Sequence, residues 1–275
     1  MLPSQVPTPE GIVPSAVPHL PRGGEHQNIA RLVAVLDVLA ASGDQGLRLV
    51  DVCAQTGLGK TSGHRLLNGL TAFQLATFDR DSGHYFLGDR LHVWALRSSS
   101  QFELSRRVVP YLEALEAEFQ DTVYFLQRRD DDVHCLARIE GSYPIKTLTL
   151  DVGDVRPIGA GSAGLAVAAA LDDREIEELT RRRHEELARF GVTGPGLADD
   201  VALTRANGHS VIENRLIPGM TGLGVAVLSP GGRPVAAISV VAINSRMDPG
   251  RRAGIALELR LTVDRIQTDL SPLLR

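Results

Sequence analysis

The short turn Thr56-Gly57-Leu58, with Gly59 after it, is all that separates two stretches with helical patterning, Asp51 to Gln55 and the run that begins near Lys60. So short a connection makes a helix-turn-helix, and Gly57 suits the left-handed backbone that ends its first helix. Upstream, IARLVAVLDVLAAS sets Ile29, Leu32, Val33, Leu36 and Leu39 on one helical face before Ser42-Gly43-Asp44 closes it. LRLVDVCAQTG is open by itself. Leu47, Leu49, Val50, Val52 and Cys53 fit a short strand, while Leu49, Val52 and Cys53 also recur at helical spacing. Beyond the turn, Leu66, Leu67, Leu70 and Phe73 share an apolar side, and LATF and HYFL flank the polar turn DRDSG as a hairpin. Three short helices and a hairpin within about 65 residues outline a winged helix-turn-helix.

The same residues imitate something else. AQTGLGKT, residues 54–61, fits a loose phosphate-loop pattern. Such a loop joins the first strand of a parallel sheet to a helix, and here an amphipathic helix precedes it and a hairpin follows closely. The leading residue is also Ala54, not Gly. The helix-turn-helix reading uses the donors differently. Lys60, Thr61, Ser62, His64 and Arg65 stand in the first turns of a recognition helix, where they reach phosphates or base edges. Arg80 at the hairpin tip touches the neighbouring backbone. The chain as a whole carries a net charge of −4, so no global basic field draws it to nucleic acid. Residues 57–73, however, hold Lys60 and Arg65 and no acid.

Ahead of this unit, residues 1–24 contain six prolines and are expected to be a disordered tail, with PxxP docking as its sharper reading. After it, residues 90–104 are expected to form a connecting helix with Leu91, Trp94, Ala95 and Ser98 along a seam. Leu104, Val108, Leu112, Leu115 and Phe119 then make a clean helical stripe. TVYFLQRR and VHCLARI flank an acidic turn as strands, and YPIKTLTLDVGDVRP adds another strand and a loop. GSAGLAVAAAL and DDREIEELTRRRHEELARF read as helices, GLGVAVLSPGGRPVAAISVVAIN as a hairpin, and Ile255, Leu259, Val263, Ile266 and Leu270 mark a closing helix. Helices flanking an antiparallel sheet give α+β over residues 105–275.

GAGSAG (159–164) spells a dinucleotide fingerprint, and AGSAG mimics a nucleophile elbow at Ser162. Both need a buried strand directly before them, and DVGDVRPI reads as a polar loop broken by Pro157. What the segment does offer is bare N–H groups at a helix start, which attract a carboxylate. No cofactor is expected. The histidines form no metal site: RRRHEE lacks a second His and reads as a solvated face. No apolar run approaches the ~20 residues a bilayer needs, and the two cysteines are far apart, so a cytoplasmic chain without membrane contact is expected.

GLGKTSGHRLLNGL followed by DRDSGHYFLG resembles the DNA-binding domain of IclR-family transcriptional regulators. The shared pattern is Thr56-Gly57-Leu58, Lys60-Thr61-Ser62, His64-Arg65-Leu66-Leu67 and Tyr85-Phe86-Leu87-Gly88. RPIGAGSAGLAV and GHSVIENRLIPGMTGLGVAVLSPGGRPVAAISV continue it in the family's order, so that the resemblance spans about residues 26–272. It implies an N-terminal winged helix-turn-helix (25–89), a linker helix and a GAF-like α+β effector domain. It also implies a double-stranded DNA operator, a small organic acid effector, and assembly as dimers or tetramers. By position it implies Ala160, Gly161, Ser162, Glu213, Gly222 and Ser239 as effector contacts. Gly222 and Val241 stand where the family often has Cys and a polar residue, from which a roomier, more apolar cavity is expected, suited to a carboxylate with a sizeable, even aromatic, body. The competing classes are a hydrolase or nucleotide-dependent enzyme using the glycine loops, and a sensor whose winged unit binds protein.

Overall fold

The computed structural model describes residues 27–97 and 99–274, the side chains of 95–102 excepted. The proline-rich tail and Ser98 lie outside the described residues, and of Ala95 only the backbone is described. The chain divides into two compact units, one reaching residue 99 and the other starting at 100.

The first unit runs α1 (Gln27–Ser42), α2 (Leu49–Thr56), α3 (Lys60–Ala72), β1 (Ala76–Asp79), β2 (His84–Leu87) and α4 (Asp89–Arg97). The ambiguous stretch is therefore helical, with Val52 buried at its centre. Leu47 alone behaves as strand: it exchanges both backbone hydrogen bonds with Tyr85 on β2. Gly57 closes α2 at φ 68°, the left-handed conformation that L side chains resist. Val35, Val38, Leu39, Val52, Leu67, Leu70, Ala76 and Tyr85 form the core. The predicted stripe on α1 is thus rotated. Leu39 is buried and Leu32 and Leu36 pack at the margin, but Ile29 and Val33 are exposed while Val35 and Val38 face inward. Phe73 and Trp94 are exposed as well, and the Arg90 guanidinium lies 5.4 Å from the Trp94 ring.

The second unit opens with α5 (Ser99–Phe119), whose stripe from Leu104 to Phe119 is buried as the spacing predicts. It continues through β3 (Thr122–Arg129), β4 (Asp132–Ile139), β5 (Val155–Pro157), α6 (Gly161–Ala169), α7 (Asp173–Arg189) and α8 (Gly194–Asn207). It ends with β6 (Ser210–Glu213), β7 (Met220–Leu228), β8 (Pro234–Ile243) and α9 (Pro249–Asp269). The six strands form one antiparallel sheet in the order β5-β4-β3-β8-β7-β6. One face packs on α5 and α9 through Leu112, Ile238, Val240, Leu259 and Ile266; the other packs on α6, α7 and α8 through Leu126, Leu165, Leu179 and Leu197.

Three sequence expectations need correction here. The strand expected within YPIKTLTL is absent, and the strand β5 lies instead inside the supposed polar loop. Residues 147–150 are held by side chains: the Tyr124 hydroxyl donates to Thr147 O at 2.6 Å, and Thr147 Oγ1 donates to Val241 O at 2.6 Å. RRRHEE is not simply a solvated face. Arg182 forks onto Asp131 and Arg183 onto Asp132, tying α7 to the β3–β4 turn, while His184 stays exposed.

Candidate functional site

The first candidate surface is the start of α3. Gly63 turns inward, where a Cβ would fall 2.5 Å from Cys53 Sγ, so α3 lies close against α2 at its second turn. That seating leaves the other side of the turn free: Lys60, Thr61, Ser62, His64 and Arg65 are all exposed. Asn68 Nδ2 lies 3.4 Å from His64 Nδ1. Among the described residues of this unit no side chain is engaged in an ion pair, so Lys60 and Arg65 offer their charge to solvent. Arg80 is exposed at the wing tip, which Asp79 organises by accepting from Asp81 N and from the Ser82 hydroxyl. These bonds, the Ser82 one foremost, hold the Asp79 carboxyl below its ordinary range. The tip therefore keeps two acids beside Arg80. The string AQTGLGKT is divided between α2, the turn and α3, with no strand before it.

The second candidate site is a cleft in the second unit that opens to solvent at its mouth. It lies between the β3, β7 and β8 strands, the start of α6, and the segments carrying Thr149-Leu150 and Leu216-Ile217. Five of the expected effector residues meet here: Ala160, Gly161, Ser162, Gly222 and Ser239. Glu213 does not. It is exposed at the end of β6, and its carboxylate accepts from Arg252 at 2.7 Å. The alternation along β6 turns Ile212 into the cleft and its neighbour away.

The N–H groups that open α6 have no intrahelical acceptor, as at any helix start, and Gly161 and Ser162 stand on the wall. Ser162 and Ser239 are 7% and 3% exposed, and neither hydroxyl meets a protein partner. Gly222 does not widen the cavity in the expected way. A Cβ there would sit 2.6 Å from Ser162 Oγ, so the serine hydroxyl already fills that room.

Sequence reasoning missed Arg156. It stands on β5, half-buried, and its guanidinium donates to Thr149 O at 2.5 Å and lies 5.7 Å from the Phe190 ring centre. One terminal nitrogen lies 3.5 Å from where a Gly161 Cβ would be, which puts it beside the start of α6. It has no carboxylate partner among the described residues. Burial lowers its affinity for its proton relative to a free guanidinium, but an arginine stays charged at any physiological pH. A charged residue between Val155 and Pro157, immediately ahead of a glycine-rich run, is the one signal that marks it.

A strand thus does lead into GAGSAG, contrary to the sequence reading. It is a three-residue edge strand antiparallel to β4, not the parallel strand either glycine motif needs. The cleft wall carries no His, Lys, Asp, Glu or Cys, so neither serine has a base to activate it. No group of side chains suited to a metal ion occurs among the described residues.

A winged helix-turn-helix with an unpaired basic face, followed by an α+β unit with a pocket, defines a DNA-binding transcription regulator. The sequence comparisons place it within that class. Residues 28–80 match the IclR helix-turn-helix domain and residues 97–268 match the bacterial transcriptional regulator IclR C-terminal domain, so the chain belongs to the IclR family. It is 27% identical over 257 residues to the transcriptional repressor IclR of Escherichia coli K12, covering 90% of each chain. The crystal structure of the Thermotoga maritima IclR shares the fold at a TM-score of 0.71 and 14% identity, over 88% of this chain and 98% of that one. So does an IclR homologue from Microbacterium hydrocarbonoxydans complexed with 4-hydroxybenzoate, at a TM-score of 0.70 and 23% identity over the same shares. The curated relatives named as repressors and regulators mark the chain as a regulator, not an enzyme. No helix among the described residues is long and apolar enough to cross a membrane.

Proposed function

We propose that this regulator binds a pseudo-palindromic operator as a dimer or tetramer in the cytoplasm, and that a small organic acid entering the second unit sets its DNA affinity. The observation that carries the effector half is the cleft wall itself, whose single charged group is positive and whose remaining polar groups include two unpartnered hydroxyls. The 4-hydroxybenzoate bound to the Microbacterium homologue supports a ring-bearing acid. On the DNA side, Lys60, Arg65 and Arg80 neutralise phosphate, and Thr61, Ser62 and His64 reach base edges, one helix per major-groove half-site. The wing acids make Arg80 the weakest of these contacts. The ligand acts by binding one assembly geometry better than another, shifting the half-site spacing.

Fluorescence anisotropy on DNA upstream of the gene, at several salt concentrations and with nonspecific competitor, tests this reading. The expected result is tight binding that falls steeply with salt. Arg65→Ala should weaken it about tenfold and lower the salt slope by about one. A genome-fragment selection that enriches no sequence would remove the operator reading.

A further inference from the structure

The effector reading gives a ring-bearing acid but no side chain that receives its charge. Arg156 says more about it, and this inference rests on the effector reading. Four observations converge on one corner of the cleft. The Arg156 guanidinium reaches it from β5 with only Thr149 O, a neutral carbonyl, as its hydrogen-bond acceptor. A terminal nitrogen of that group lies beside Gly161, at the start of α6, where backbone N–H groups are unclaimed. Ser162, more than nine-tenths buried, opens onto the same wall without a partner. And no Asp or Glu stands on the wall to neutralise the arginine.

Asp154 acts on this guanidinium only through space, without an ion pair, and a half-buried guanidinium that no carboxylate touches is unfavourable unless something supplies a direct partner. A carboxylate fits the place in shape as well as charge, since the planar fork of arginine matches its two oxygens. The rest of the wall limits what the carboxylate is attached to. Leu126, Leu150, Ile212, Leu216, Met220 and Val241 offer apolar surface that a two-carbon acid would leave uncovered. There is no second Arg, Lys or His to receive another negative charge.

We infer that Arg156 is the counter-ion of the effector, so that the cleft selects an acid with one carboxylate and a ring-sized apolar body and rejects neutral analogues and dicarboxylates alike. The apolar wall strengthens the discrimination, because a second carboxylate would be buried there without a partner.

Isothermal titration and thermal shift on the full chain, with benzoate, benzamide, terephthalate and acetate as probes, test this directly. Wild type should bind benzoate, and bind benzamide, terephthalate and acetate at least about tenfold more weakly. Arg156→Met should lose about ten- to hundredfold in benzoate affinity and gain relative preference for benzamide, and Arg156→Lys should recover part of the loss. The reversal of preference separates an ion pair from mere structural damage, and the melting temperature of each unliganded variant checks folding. Equal benzoate binding by wild type and a folded Arg156→Met would overturn the role of Arg156 while leaving the effector reading intact. Benzamide or terephthalate binding as tightly as benzoate would overturn it too. If no probe binds wild type, the ring-acid effector reading falls and this inference falls with it.

Discussion

Ser162 and Ser239 are both more than nine-tenths buried without a protein partner, yet their oxygens open onto the cleft instead of being sealed. The only fully buried side-chain atom without a partner among the described residues is Arg251 Nε, elsewhere in the same unit. Polar groups kept this way are inexpensive only because water or a ligand reaches them. His134 on β4 shows the opposite treatment. Burial, reinforced by Arg129, holds its pKa below the ordinary histidine value, against a weaker pull from Asp132. Its neutral form is therefore favoured in the folded chain, and the unfolded chain takes up the proton first as pH falls through about 6.5. The stability that this site contributes is complete above that pH and is lost below it, down to the depressed folded value. Denaturant unfolding at several pH values between about 5 and 7.5 should show this decline, and His134→Gln should flatten it.

At the scale of elements, the site depends on how closely α6 lies on β7. A Cβ added to Gly224 would stand 2.7 Å from the Ser162 carbonyl oxygen and 2.8 Å from its carbon, both rigid backbone. Gly224→Ala should therefore lift α6 and cost about 1–3 kcal/mol in urea unfolding; an unchanged midpoint would show that the helix has slack. Elements with dense periodic stripes were legible beforehand. α5 and α9 bury the side chains their spacing marks, and the β7–β8 hairpin announces itself through Pro-Gly-Gly. α8 was not, because it buries only Leu197, Val201 and Thr204 of its 14 residues. Its signals are at its ends, a Thr193 cap with a proline just inside and Gly208 after the last turn. β5 escaped because three residues hold no period, and its one partner, β4, lies more than 15 residues upstream. Glu213 was misplaced for a related reason: family position identifies a strand, but the alternation within it decides which residue faces the cleft. Arg156 was hidden because nothing local says that an arginine on a short edge strand points inward.

At the scale of the whole molecule, the two units differ in how far apart along the chain their contacts are made. The winged unit is assembled from neighbours, with α1, α2, α3 and the hairpin following one another. In the second unit the sheet is joined at its middle by β3 and β8, where Tyr124 faces Ser239 across the ladder, and the cleft borrows from both strands. A chain ending at residue 228 lacks β8 and α9, which should unfold the second unit while leaving the first able to fold. Proteolysis with helical circular dichroism would check this; a truncated chain with a protected second unit would contradict it. Local contacts form quickly and long-range ladders slowly. On the ribosome, the winged unit is complete once β2 and α4 have emerged, whereas the cleft waits for β8, about 140 residues later. Each newly made copy thus passes through an interval in which its recognition helix is in place and its cleft is not yet built.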